Sequence, residues 1–361
     1  MSYDIAIIGA GMAGASLAAE IGANARVLLI EAEEVPGYHA TGRSAAFWSE
    51  TYGGPGIQPL TTASGESLRA GGFLDPLGSL HIGRASENAE AEAFLAAFSG
   101  SGVPLVPVDP RDHVHGLRTG WTIGIMEPTC AYIDVAGLHT DALSRARRTG
   151  AELVLGAALT GASRRHDRWR IETTAGVYEA AVLVNAAGAW ADRVARLAGA
   201  SPLNIQPYRR TMVQLKTDPS PAPGVPHVVH IGGDFYFKPE AGGRLWLSPH
   251  DETPSDPADV QPEELDVAIA IDRFEQAVDW RVAQLERKWA GLRSFAPDRL
   301  PVYGFAADAP GFFWFAGQGG FGIPTAPAAA MIGAALVLGQ LPALAGTIDI
   351  ERYAPTRFAR I

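Results

Sequence analysis

The sequence is poor in cysteine, in positive charge and in long apolar runs. Cys130 is the single cysteine among 361 residues, which excludes an internal disulfide and a cysteine-based metal cluster, and we predict no metal site. The net charge of −10 at pH 7 argues against nucleic acid or an anionic membrane as the main partner. The least polar stretch, residues 326–345, contains Pro327 and Pro342 and predicts a packed helix rather than a membrane span.

Length and the N-terminal pattern set further limits. A chain of 361 residues is suited to one large domain or to two interleaved ones. No basic segment followed by an apolar one precedes the first predicted strand, so the secretory signal pattern is missing. Together with the single cysteine, which suits a reducing compartment, this predicts a soluble cytoplasmic protein.

A strand, a glycine loop, a helix and a second strand open the chain. The apolar residues 4–8 end in Gly9-Ala10-Gly11-Met12-Ala13-Gly14, and the second apolar run, residues 26–30, ends in Glu31. In such a unit the first glycine allows a tight turn, the second lets the backbone approach a pyrophosphate, and the third lets helix and strand pack closely. Glu31 is then the acid whose carboxylate accepts hydrogen bonds from the ribose hydroxyls. The pattern therefore predicts a bound dinucleotide.

Two further glycine loops indicate which dinucleotide is bound. The apolar residues 180–184 run into Asn185-Ala186-Ala187-Gly188, and an aromatic strand runs into residues 317–322, ahead of a helix. Three loops spread over the chain suit a long cofactor, and the last helix can stabilise negative charge on a reduced flavin. We therefore predict FAD rather than NAD.

A small-residue loop at 35–46, leading into a possible helix, would let backbone amides contact a flat ligand.

The whole pattern predicts an α/β fold with a Rossmann-like FAD-binding domain interleaved with an antiparallel-sheet substrate domain. Helices are predicted at residues 86–98, 134–150 and 263–278, and short strands at 152–155, 168–173 and 177–179 are predicted to form a meander inserted in the nucleotide domain. Alternating residues over 207–250 predict the antiparallel sheet. The predicted FAD-binding domain comprises residues 1–46, 135–200 and 298–361, and the predicted substrate-binding domain comprises residues 47–134 and 201–297.

Five stretches carry a resemblance to a known family. They are residues 9–14, 36–46, 182–190 and 289–295, and Gly311-Phe312-Phe313-Trp314 with Gln318-Gly319-Gly320. Through them the chain resembles, from end to end, the FAD-dependent D-amino acid oxidase superfamily, and within it the bacterial D-arginine dehydrogenase type. The resemblance implies noncovalent FAD and oxidation of an amino acid at Cα, with hydride transfer to flavin N5. The resulting imino acid is hydrolysed to a 2-oxo acid and ammonia. Oxygen, a quinone or a carrier remains open as the electron acceptor.

The resemblance also implies roles for individual residues. Arg210 and Arg293 match the carboxylate-binding arginines, because a guanidinium binds a carboxylate through two parallel hydrogen bonds. Tyr52 and Tyr236 match the tyrosines that close over the substrate, and Gly320 lies in the turn that faces the substrate amine and the flavin. The residues expected to contact FAD are Gly9, Gly11, Met12, Ala13, Gly14, Glu31, Thr41, Gly42, Arg43, Ser44, Ala45, Ala46, Ala187, Gly188, Trp190, Arg293, Gly317, Gly319, Gly320, Gly322 and Ile323.

These roles have simpler alternatives. Arg210 could form a solvated pair with Arg209, Arg293 could belong to a structural ion pair, and Tyr236 could be ordinary core. His39 and His81 are expected to make local hydrogen bonds, because hydride transfer requires no histidine base.

Two departures from the D-arginine dehydrogenase type bear on the substrate. Ser79 or a neighbour stands where that type carries a glutamate for the cationic end of the substrate, and Phe47 replaces a histidine near the ring. A pocket without a buried carboxylate has no partner for a cationic side chain, and an unpaired buried charge is costly. We therefore expect neutral, apolar or small D-amino acids rather than D-arginine.

Two other functions are compatible with the sequence. A secondary-amine oxidase of the glycine or sarcosine type shares the fold and the arginine, although Cys130 is too far from the C-terminus to provide the flavin attachment that some of those enzymes use. A flavin-binding redox module without small-substrate turnover is the alternative from another class. Two arginines converging on the flavin would argue against it.

Overall fold

The computed structural model describes residues 2–360. The α-helices are α1 (Met12–Ile21), α2 (Gln58–Ala70), α3 (Asn88–Ala97), α4 (Val135–Arg148), α5 (Ala191–Leu197), α6 (Glu264–Ala277) and α7 (Ala326–Val337). The strands are β1 (Ser2–Ile8), β2 (Val27–Ile30), β3 (Phe47–Trp48), β4 (Leu74–Pro76), β5 (Ser79–Arg84), β6 (Val106–Pro107), β7 (Trp121–Glu127), β8 (Ala131–Ile133), β9 (Glu152–Val154), β10 (Leu159–Arg165), β11 (Arg168–Thr173), β12 (Gly176–Asn185), β13 (Gln206–Asp218), β14 (His227–His230), β15 (Tyr236–Glu240), β16 (Arg244–Ser248), β17 (Thr253–Pro254), β18 (Arg281–Phe295), β19 (Val302–Phe305), β20 (Phe312–Ala316) and β21 (Gln318–Gly319). Among these described residues no helix is both long and apolar enough to cross a bilayer.

A parallel sheet forms the core of the nucleotide-binding half. Strands β9, β2, β1, β12 and β20 lie side by side in parallel, which places the ends of β1, β12 and β20 at one edge. Helices α1, α4 and α7 cover one face, where small residues such as Ala15, Ala18 and Ala329 allow close packing. Helix α5 packs against the other face. The three glycine loops follow β1, β12 and β20, so the topology brings them together.

Several predicted elements are confirmed, and others differ. The strand predicted at 177–179 and the apolar residues 180–184, for example, form one continuous strand, β12. Helix α4 begins after Asp134, whose carboxylate accepts a hydrogen bond from the Gly137 amide at 2.8 Å and caps the helix. Strand β9 belongs to the parallel sheet rather than to the meander, which comprises β10, β11 and β12. The possible helix at the end of loop 35–46 does not form, because Ala46 has a positive φ of 55° and leads directly into β3. The last long helix ends at Val337 rather than at residue 345.

A large, mainly antiparallel sheet forms the second half of the molecule. Its strand order is β21-β18-β13-β16-β15-β14-β5-β7-β6. Strand β13 alternates between its two faces, so that Val213 and Leu215 pack with helix α6 in an apolar core. Arg210 and Met212 point to the opposite face, which turns towards the parallel sheet and lines the cleft described below.

Candidate active site

A long cleft lies between the two sheets. It has a volume of about 420 Å³ and is lined by residues of all three glycine loops, of loop 37–46 and of strands β13 and β18. Of the residues expected to contact FAD, all line this cleft except Gly14, Gly42 and Gly317. Those three lie behind the lining: a Cβ at Gly14 would overlap the Gly9 carbonyl oxygen, and one at Gly42 would lie 2.9 Å from the Gly37 carbonyl oxygen. Gly317 provides a positive φ of 73°.

The first glycine loop has the geometry that its sequence predicts. Gly9 has a φ of 102°, and a Cβ there would lie 2.5 Å from the Ala186 carbonyl oxygen, so only glycine fits. The carboxylate of Glu31 is buried and accepts a hydrogen bond from the Ala10 amide at 2.7 Å. Glu31 therefore holds the loop as well as lining the cleft. Because the backbones of Gly9 and Ala186 approach each other closely, main-chain atoms line the cleft at this end.

Loop 37–46 lies against the start of α1. The Thr41 hydroxyl accepts a hydrogen bond from the Met12 amide at 3.0 Å, which satisfies a free N–H of the helix end. The Arg43 guanidinium lines the cleft, but it donates to the carbonyl oxygen of Ala290 at 3.1 Å and pairs with Asp259. Arg43 thus ties the nucleotide-binding half to the large sheet. Its predicted contact with FAD remains a prediction.

Two residues outside the set expected to contact FAD hold the glycine loops. Asn185 is fully buried; its side chain donates to the Ala191 carbonyl oxygen at 2.8 Å and accepts from the Ala187 amide at 3.3 Å. His139, on α4, forms a 2.8 Å hydrogen bond with the Ala10 carbonyl oxygen. The position of Asn185 at the end of an apolar strand indicates a residue at the edge of the sheet, whereas nothing in the local sequence around His139 indicates its hydrogen-bond partner.

At the other end of the cleft, Arg293 is held by two tyrosines. Its Nη1 donates to the hydroxyl of Tyr52, and its Nη2 donates to the hydroxyl of Tyr236 at 3.3 Å. Within the described chain Arg293 forms no ion pair with a carboxylate, which removes the alternative of a structural ion pair. Gly320 lies against this pair, since a Cβ there would lie 2.9 Å from the Tyr52 hydroxyl. The structure therefore brings together four of the predicted site residues: Tyr52, Tyr236, Arg293 and Gly320.

Arg210 is the second arginine of this region. Its side chain is only 3% exposed; Nε donates to the Asp251 carbonyl oxygen at 2.6 Å, and Nη2 donates to the Glu252 carboxylate at 3.2 Å. Its Nη1 is buried without a hydrogen-bond partner. Burial lowers the pKa of Arg210, and the positive charge of Arg293 lowers it further. Arg209 instead pairs with Glu263 and Asp266, so the two arginines do not form a solvated pair.

A second cavity of about 410 Å³ adjoins the cleft. Phe47, Tyr52 and Arg293 line both spaces, so the guanidinium lies at their junction. Three histidines that the sequence did not single out as a group line the second cavity: His81, His227 and His250. Of these, only His81 was considered, and its Nε2 lies 3.4 Å from the Thr51 hydroxyl.

The positions that bear on specificity are also at this cavity. Phe47 lines it and contacts the His227 ring, with 4.4 Å between ring centroids. Ser79 lies behind the wall, where its hydroxyl is 3.3 Å from Nδ1 of His227. His39 is remote from the cavity and forms a 2.8 Å hydrogen bond with Glu33, the local partner that was expected. No group of three His, Cys, Asp or Glu side chains in residues 2–360 could hold a metal ion.

Comparison with known proteins agrees with this geometry. The family model described as DAO, FAD dependent oxidoreductase, matches residues 4–336. The chain is 29% identical over 187 residues to hydrogen cyanide synthase subunit HcnC of Pseudomonas aeruginosa, which covers 51% of this chain and 43% of that protein. The chain spans about half the length of the curated relatives that it matches.

Two solved structures share the fold over nearly the whole chain. Glycine oxidase from Geobacillus kaustophilus superposes with a TM-score of 0.84 and 23% identity, covering 99% of each chain. L-Proline dehydrogenase from P. horikoshii superposes with a TM-score of 0.87 and 22% identity, covering 99% of this chain and 98% of the other.

The protein belongs to the DAO family of FAD-dependent oxidoreductases. The residues of the cleft fit FAD: backbone lines the cleft where Gly9 and Ala186 meet, and the N-terminal end of α1 opens there with its positive dipole. Residues 322–324, immediately before α7, line the other end.

Proposed function

We propose that the protein oxidises the amine of an α-amino acid, with neutral D-amino acids as the preferred class. The observation that carries this proposal is the presence of two arginines on the cleft wall. Arg293 lies at the junction of the two cavities and has no carboxylate paired to it among the described residues, and Arg210 has an unpartnered Nη1. Burial and the positive charge of Arg293 lower the pKa of Arg210, so an anion beside the two guanidinium groups is favoured. A substrate carboxylate supplies that charge and accepts their hydrogen bonds.

The same residues orient the rest of the substrate. With its carboxylate held by Arg293, the substrate lies beside Tyr52 and Gly320, and the backbone of Gly320 stays accessible because the residue has no side chain. The two arginine charges disfavour a neighbouring ammonium ion, so the amine of the substrate loses its proton to solvent more readily. Bound FAD supplies the two-electron acceptor for the hydride on Cα. Positioning is then the main contribution of the protein.

The neutral side-chain preference rests on the charges around the second cavity. Glu252, which lines it, is already paired with Arg210 and, at 2.8 Å, with Arg299. Asp298, also in the lining, pairs with Arg357 at 2.6 Å. A cationic side chain would therefore meet carboxylates that are already neutralised, with Arg293 close by. Its burial would be costly.

The test is anaerobic reduction of the bound flavin by a panel of D- and L-amino acids, followed by admission of oxygen. We expect neutral D-amino acids to bleach the flavin absorbance fastest, and the rate of reoxidation to separate an oxidase from a dehydrogenase that uses a quinone or carrier. In Arg293→Met, the loss of two hydrogen bonds to a carboxylate, at about 1.5–3 kcal/mol each, should raise the dissociation constant at least about 100-fold. Arg209→Met, on the same strand as Arg210, is the matched control and should leave it unchanged. Equal reduction by wild type and Arg293→Met would overturn the proposal, as would D-arginine and D-lysine being the best substrates.

A second candidate is a glycine- or sarcosine-type amine oxidase, which the structural similarity to glycine oxidase favours. Such substrates have no side chain to fill the second cavity of about 410 Å³. Sarcosine and glycine reducing the flavin faster than any larger amino acid would support this candidate. No reduction by any amino acid or amine would favour a redox module without small-substrate turnover.

A further inference from the structure

The second cavity contains a polar group with unused hydrogen-bonding capacity. His227 is 1% exposed and forms part of the cavity wall. Its Nδ1 lies 3.3 Å from the Ser79 hydroxyl, while its Nε2 has no hydrogen-bond partner. A buried polar nitrogen without a partner costs about 1–3 kcal/mol, so its retention beside the aromatic rings of Phe47 and Tyr236 requires an explanation.

The fold places His227 close to Arg293. The pairs His227–Ser79 and Val229–His81 lie opposite one another in the parallel pairing of β14 with β5, so these four side chains share one face of the large sheet. The same face carries Tyr236, whose ring centroid is 5.5 Å from that of His227 and whose hydroxyl accepts from Arg293. One aromatic ring therefore separates His227 from the guanidinium that we propose binds the carboxylate.

His227 is a neutral hydrogen-bonding group rather than a cation. Burial lowers its pKa well below the ordinary value, and the positive charge of Lys238 lowers it further. The carboxylates of the cavity, Glu252 and Asp298, are paired with arginines. Apart from the Arg293 guanidinium at the junction with the cleft, the cavity therefore offers a ligand a hydrogen bond but no uncompensated charge.

We propose that the second cavity receives a neutral polar side chain of the substrate, a carboxamide or a hydroxyl group, and that Nε2 of His227 forms its hydrogen bond. This inference rests on the proposed function, because it takes the substrate carboxylate to lie at Arg293. It replaces the apolar side chain expected from the sequence with a polar one. An imidazole with one nitrogen engaged by Ser79 can donate to a carbonyl oxygen or accept from an amide or hydroxyl at the other nitrogen.

The test uses two nonreactive carboxylates of the same shape, 3-carbamoylpropanoate and 4-methylpentanoate, bound to the FAD-loaded protein and measured by calorimetry. They differ in a carboxamide against an isopropyl group, and neither carries an amine. An apolar cavity would favour 4-methylpentanoate, because the carboxamide loses its hydrogen bonds to water. We expect 3-carbamoylpropanoate to bind about tenfold more tightly, since it makes the bond that the other leaves unmade.

Two variants test whether His227 causes this difference in affinity. His227→Leu should abolish or reverse the preference, and His166→Leu, at an exposed turn, should keep it. If the two carboxylates bind equally to the wild-type protein, or 4-methylpentanoate binds better, the inference about His227 fails while the carboxylate site stands. If neither binds, the carboxylate site fails and the inference fails with it. A preference that persists in folded His227→Leu also overturns the inference. Because the wild-type comparison can refute the inference by itself, misfolding of that variant leaves it falsifiable.

Discussion

His250 provides a sharp test of the electrostatics at the second cavity. Its Nδ1 donates to the Gly233 carbonyl oxygen, and its neighbours include three cationic side chains, Arg210, Arg293 and Arg273. Burial, followed by the charges of Arg210 and Arg293, lowers the pKa of His250 from 6.5 to about 3. The imidazole therefore stays neutral in the folded protein at every pH near neutrality.

The consequence for stability follows from proton linkage. Between pH 6.5 and about 3 the unfolded chain binds a proton at His250 that the folded protein does not bind. The free energy of unfolding that depends on this group is therefore fully present above pH 6.5 and is lost as the pH falls. At pH 5 the difference is 6.5 − 5, or 1.5 pKa units, and at about 1.4 kcal/mol per unit the loss is about 2 kcal/mol.

Urea unfolding of the protein in excess FAD, at pH 8 and pH 5, measures this loss. His250→Asn is the variant of choice, because asparagine tolerates the positive φ of 56° at this position and keeps a donor for Gly233. Its free energy of unfolding should fall by about 2 kcal/mol less than that of the wild type between these pH values. The matched control is His166→Asn, since His166 also has a positive φ, of 55°, but is exposed. Identical pH dependence in wild type and His250→Asn would refute the reasoning.

Two further variants test the glycine loops. Gly14→Ala would place a Cβ onto the Gly9 carbonyl oxygen, so we expect a lower Tm and loss of flavin from the purified protein, whereas Gly120→Ala, which has open space, should change neither; normal flavin content in Gly14→Ala would contradict this. Asn185→Ala leaves the Ala191 carbonyl and the Ala187 amide without their partner, so we expect about 1–3 kcal/mol of lost stability and weaker FAD binding, measured by urea unfolding and FAD titration, with Asn88→Ala at the surface as the control.

The local sequence pattern was sufficient to predict the fold of the nucleotide-binding half, but it was insufficient to predict which residues line the second cavity. The unit from β1 to Glu31 could be predicted because its glycines, its helix and its strands are consecutive in sequence. The roles predicted for Arg210 and Arg293 depend on the resemblance to a family, since nothing local distinguishes Arg210 from Arg209. Strand β9 was misplaced because three apolar residues fit a meander and a parallel sheet equally well.

The grouping of His227 with Ser79 depends on contacts that sequence pattern does not encode. These residues are 148 positions apart and meet only because β14 pairs in parallel with β5. The absence of an acid near Ser79 therefore predicts an apolar or small side chain from sequence, although a histidine from another strand takes up the adjoining space. The carboxylates that line the cavity, Glu252 and Asp298, are already paired with arginines, which disfavours a cationic side chain but does not make the cavity apolar.

The two faces of the large sheet explain why this matters for function. One face buries Val213, Leu215 and their neighbours against α6, and this packing stabilises the fold. The opposite face carries Arg293, which has no carboxylate partner among the described residues, and the unpartnered nitrogens of Arg210 and His227. Such groups lower stability in the free protein. Under the function that we propose, a ligand with a carboxylate at one end and a neutral polar group at the other would satisfy all three, and the features that cost folding energy would then select the substrate.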